Sequence, residues 1–89
     1  MSGEPHLDYR ETAMLRAALE QHGYERDIGK PGDEGYGLEM WVPVEGSLAP
    51  SSVWYFSARS ESRTVVTHVD TARGKTIAYH EALAILEHQ

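Results

Sequence analysis

Three strand-like stretches between residues 38 and 69, bracketed by two amphipathic helical patterns, constrain this fold more than any other feature of the chain. Leu38–Val44 alternates, with Leu38, Met40, Val42 and Val44 on one side and Glu39, Trp41 and Pro43 on the other. Val53–Arg59 sets Trp54, Phe56 and Ala58 against Val53, Tyr55 and Ser57. Arg63–Val69 is β-branched through its centre. A period of two sends alternate residues to opposite faces of a sheet.

The first helix is expected over Tyr9–His22. Asp8 and Glu11 have capping-box spacing, and Gly23 stands where a C′ glycine belongs. Met14, Leu15, Ala18, Leu19 and His22 share one side of it. The segment 24–37 is rich in glycine and contains the turn Lys30-Pro-Gly-Asp33, so it reads as a loop, with room for a short extra edge strand at Tyr24–Ile28. After a turn at residues 70–75, Thr76–Gln89 is expected as the second helix. Its apolar stripe is Tyr79, Ala82, Leu83 and Leu86, with Ile85 at the edge.

Strands joined by hairpin loops pair antiparallel, and two amphipathic helices need a common apolar surface. The expected fold is α+β: a two-layer sandwich of order α-β-β-β-α, an antiparallel three-stranded meander with both helices on one face. The 89 residues make a single domain over 1–89, with 1–7 as a flexible N-terminus.

Composition narrows the function classes. The chain has no cysteine, which excludes disulfides, thiol catalysis and cysteine metal sites. No apolar run is long enough to span a membrane, and the polar opening segment lacks the pattern of a signal peptide. These features fit a cytoplasmic protein. The net charge is −6, with nine acids against four bases in residues 1–39. A phosphate backbone would meet repulsion there, so nucleic acid is a poor partner for the chain as a whole.

The motifs that invite chemistry are incomplete. His80-Glu81 opens like a zinc HExxH motif, but Ala84 stands where the second histidine is required. His80 and His88 are about 12 Å apart along a helix, too far to share an ion. The glycine-rich loop around Lys30 is followed by Pro31 and two acids, Asp33 and Glu34, which suits a turn and not a phosphate cradle. Ser57, His68 and Asp70 can be written as a triad, but no nucleophile elbow accompanies them. No enzyme activity, metal or cofactor is expected.

The order of one helix, three strands and one helix resembles in topology the double-stranded RNA-binding domain. That family's lysine-rich entry to the second helix is here reduced to Arg73 and Lys75 before "TIAYHEA". Shared architecture does not carry function.

Trp54 and Phe56 are expected in the core together with Leu38, Met40, Val42 and Val44. Val65, Thr67 and Val69 are placed inward, because two valines bury more apolar surface than Val66 with His68. The opposite face then carries Trp41, Tyr55, Arg59, Val66 and His68, a composition resembling interaction hot spots. The expected function is a non-catalytic protein-interaction or regulatory module of inhibitor or accessory type, as in bacterial or phage systems. It docks on a protein partner, or on a second copy of itself, through this open face. A secondary acidic docking side is expected around Glu20, Asp33 and Glu34. The first alternative is a nucleic-acid binder using Arg59, Arg63, Arg73 and Lys75. The second is a small-ligand site near Tyr55 and His68.

Overall fold

The computed structural model describes residues 5–27, 38–46, 52–60, 62–70 and 73–88. Along the chain run α1 (Tyr9–Gln21), β1 (Tyr24–Asp27), β2 (Leu38–Pro43), β3 (Val53–Ser60), β4 (Arg63–Asp70), β5 (Arg73–Ile77) and α2 (Tyr79–Glu87). The fold is α+β, with two helices and an antiparallel five-stranded sheet in the order β1-β2-β3-β4-β5.

The start of α1 is held by the capping box that its spacing predicts. Asp8 accepts the Glu11 backbone N–H at 2.7 Å, and the Glu11 carboxylate accepts the Asp8 N–H at 3.1 Å. The helix ends where Gly23 adopts φ +88°, a left-handed conformation that costs glycine little. The chain passes straight from there into β1.

The three-stranded meander is corrected to five strands. β1 occupies most of the edge position foreseen at Tyr24–Ile28. β5 lies where residues 70–75 read as a turn, and it displaces the start of α2 from Thr76 to Tyr79. The segment Arg73-Gly-Lys has no apolar alternation, so nothing local marks it as a strand. Its pairing with β4 creates it: Val66 lies opposite Ile77, His68 opposite Lys75 and Asp70 opposite Arg73. The topological resemblance to the double-stranded RNA-binding domain therefore does not extend to this sheet.

The register assigns the faces. Trp41 lies opposite Trp54, Trp54 opposite His68, and Phe56 opposite Val66, so these side chains share one face. Trp41, Trp54, Phe56, Val66, Ile77 and Tyr24 join Leu15 and Leu19 of α1 and Ala82 and Leu86 of α2 in one buried cluster. Trp41 is 3% exposed. The strand phases are thus the reverse of expectation in β2 and β4: Trp41 points to the helices, and so do Val66 and His68. Met40 and Val42 point away.

Two physical reasons account for the reversal. β2 is apolar on both faces, and burying the large indole of Trp41 outweighs burying Met40 and Val42. The charge of Glu39, which this phase brings to the covered face with Trp41, is taken up by α1: Arg16 Nε and Nη2 donate to the two Glu39 oxygens, each at 2.9 Å. Once Trp54 and Phe56 face the helices, cross-strand pairing carries His68 and Val66 to the same side.

The helix stripes follow the expected spacing except at Met14 and His22, both of which are exposed. Leu15 and Leu19 are buried, as are Ala82 and Leu86, but Met14 is 51% exposed and accepts a long contact from the Tyr79 hydroxyl at 3.8 Å. Leu7, from the stretch expected to be flexible, is fully buried. It forms a bridge to β4 by two backbone bonds with Thr64, of 2.7 and 2.9 Å.

Candidate interaction face

The sheet has a second face, turned away from the helices. On β2 it presents Met40 and Val42, on β3 Val53, Tyr55 and Ser57, on β4 Val65, Thr67 and Val69, and on β5 Gly74 and Thr76. The pairs Met40–Tyr55, Val53–Val69, Tyr55–Thr67 and Thr67–Thr76 place them together. A Cβ built on Gly74 would lie 3.4 Å from methyl groups of both Thr67 and Val69, which fixes its direction toward the same face. Most of these side chains are half-buried, and Val65 is buried.

An antiparallel sheet with one face against helices usually shows polar side chains on the other. Here β2 to β4 present none that is charged between Met40 and Val69 across the middle of the face. Charges on this side stand at the margins: Glu25 and Asp27 on β1, and Arg59 at the far end of β3, next to a register shift between Ala58 and Ser60.

The five expected docking residues are divided by this geometry. Tyr55 lies on the open face and Arg59 is exposed at the end of its strand. Trp41, Val66 and His68 lie on the covered face. Met40, Val42, Val65, Thr67 and Val69, all expected to point inward, are the residues that the open face gains. The signal for them was present: both phases of β2 are apolar, so either choice leaves an apolar outer surface.

Glu20 is exposed on α1, whereas Asp33 and Glu34 lie outside the described residues. Comparison of the chain with protein-family models, curated proteins and solved structures finds no match.

The remaining constellations are pulled apart. Tyr55 and His68 emerge on opposite faces, so they do not line one ligand site. The same division separates Ser57 from His68 and Asp70. Arg63 opens β4 and Arg73 lies opposite Asp70 at its other end. Eight residues of strand put roughly 23 Å between them, and Lys75 is engaged with Glu81 at 2.8 Å. The four basic residues therefore form no single stripe. Among the described residues, no three His, Asp or Glu side chains converge as a metal site. No helix of the described residues is long and apolar enough to cross a membrane.

The covered face holds its own polar arrangements. Glu39 accepts from Arg16 and from the Trp41 indole, with Arg26 3.9 Å away. Burial pushes its carboxyl pKa up, but the hydrogen bonds from Arg16 and Trp41 and the charges of Arg16 and Arg26 together hold it below the ordinary 4.5. His68 packs against Trp54 with ring centroids 4.5 Å apart. Burial lowers its pKa, opposed by the nearby charge of Asp70. Both arrangements sit between sheet and helices and are bound into the packing of the core.

Proposed function

We propose that the protein is a non-catalytic interaction module, of regulatory or accessory type, that docks on a protein partner through the open face of its sheet. One observation carries this reading. Met40, Val42, Val53, Tyr55 and Val69 form a continuous uncharged apolar surface on the side of the sheet away from both helices. Continuous apolar patches of this kind mark interaction sites more often than scattered single residues do. A tyrosine at their centre supplies the amphipathic contact that interfaces favour.

The test is affinity capture from the native host with the unaltered protein and with Val53→Glu. A protein retained by the first and lost by the second, with circular dichroism unchanged between them, is the expected result. Equal retention by both would move the docking site elsewhere, first to the exposed acids of α1 around Glu20.

A further inference from the structure

We propose that Met14 is an oxidation site and that the Tyr79 hydroxyl donates to the oxygen added there, so that a hydroperoxide turns a weak contact between α1 and α2 into a firm one. Met14 lies on α1, on the helical side of the sheet, and its oxidation leaves the open face unaltered.

The sulfur chemistry of the chain is narrow. It has three methionines and no cysteine, so thioethers are its only sulfur. Met1 lies outside the described residues. Met40 is half-buried on β2, whereas Met14 is 51% exposed. A peroxide must reach the sulfur to react, so exposure ranks Met14 above Met40.

A donor stands beside the exposed sulfur. The Tyr79 hydroxyl, on the first residue of α2, donates to it at 3.8 Å across the two helices. The Tyr79 ring packs against the core cluster and lies 5.6 Å from the His80 ring, which holds the hydroxyl in place. A thioether is a poor use of this donor, because its sulfur is a weak acceptor.

Oxidation changes the acceptor. A lone pair of the Met14 sulfur attacks the outer oxygen of the hydroperoxide. The S–O bond forms as the O–O bond breaks, and the proton on the transferred oxygen passes to the leaving oxygen. Sulfur gives up an electron pair, and the peroxide is reduced to an alcohol, or to water where it is hydrogen peroxide. The product is a polar sulfoxide, which reductases can reverse. Sulfoxides disrupt cores, but at an exposed position the new oxygen stays solvated. The Met14 side chain has three rotatable bonds, so either sulfoxide epimer can turn its oxygen to the Tyr79 hydroxyl.

The test is limited oxidation of the full chain with hydrogen peroxide. Peptide mass spectrometry places the added oxygen, and thermal melts read its effect. Met14 is expected to be oxidised at least about threefold faster than Met40. In a Met40→Leu background, a volume-conserving change, oxidation at Met14 is expected to raise the melting temperature by about 2–4 °C, the shift that one modest hydrogen bond gives a domain of this size. Tyr79→Phe should show no rise, and Met14→Leu, treated alike, should not respond to peroxide. Met14→Gln supplies a carbonyl oxygen without any oxidant. It should melt above Met14→Leu, whose helix propensity is similar, and Tyr79→Phe should abolish the difference. If Tyr79→Phe does not fold, the comparison of Met14→Gln with Met14→Leu decides.

Oxidation of Met40 as fast as Met14 overturns the proposal. So does a melting temperature that falls or stays constant when Met14 is oxidised, or a rise that survives in Tyr79→Phe. A Met14→Gln protein that melts no higher than Met14→Leu overturns it as well.

Discussion

The Trp41 indole N–H donates to the Glu39 carboxylate at 2.6 Å, from a position two residues further along the same strand. Residues so spaced share a face, and here that face is the covered one. Arg16 of α1 completes the arrangement from above, stacking 5.8 Å from the Phe56 ring while it binds Glu39 with both nitrogens. The contact ties the phase of β2 to the position of α1.

Trp41→Ala should therefore cost as much as Trp54→Ala, about 3–5 kcal/mol each, as large-to-small core changes do. A domain of this size has only about 5–10 kcal/mol in total, so both variants should be unfolded or nearly so in urea titrations. Tyr55→Ala, on the open face, should lose about 1 kcal/mol of cross-strand packing. A stable Trp41→Ala protein would show that the indole is not covered.

Glu39→Gln should destabilise by about 1.5–3 kcal/mol, the range for losing charge-assisted hydrogen bonds. The pH dependence gives the sign. The folded carboxyl titrates below its ordinary value of 4.5, so its contribution is complete above that value and fades as pH falls through the lowered one. The gap between the unaltered protein and Glu39→Gln should narrow in acid. A gap that is constant with pH would mean that the charge of Glu39 contributes nothing.

His68 acts in the opposite sense to a histidine with an anionic partner. Burial lowers its folded value below the usual 6.5, so the unfolded chain takes the proton first as pH falls. Its contribution is complete above 6.5 and is lost between there and the lowered folded value. The melting temperature should drop as pH goes from about 7.5 to about 5.5, and His68→Gln should remove most of that slope. An unchanged slope in the variant would assign it to other groups.

Leu7→Ala should cost about 2–4 kcal/mol, because the side chain is fully buried in the main cluster. His6→Ala, at an exposed neighbouring position, should change stability by less than about 0.5 kcal/mol. Equal and small effects, measured by thermal melts, would indicate that the bridge between Leu7 and Thr64 does not hold in solution.

The sequence alone determined the elements whose signals are local. The capping box at Asp8 and Glu11 and the glycine at 23 bound α1, and the stripe of Ala82 and Leu86 marks α2. Alternation placed β2, β3 and β4 within a residue or two and put Trp54 and Phe56 in the core. Tertiary structure alone decided which face of β2 and β4 is covered, since alternation distinguishes two faces without ranking them when both are apolar. The deciding partner of Glu39 is Arg16, 23 residues away, and no local pattern can register it. β5 is of the same kind: Arg73-Gly-Lys becomes a strand because β4 offers it hydrogen bonds. Leu7 is buried because the edge of β4 beside Thr64 is open to it. Each of these outcomes depends on pairing between distant segments, and together they make the open face one of Met40, Val42, Val53, Tyr55 and Val69.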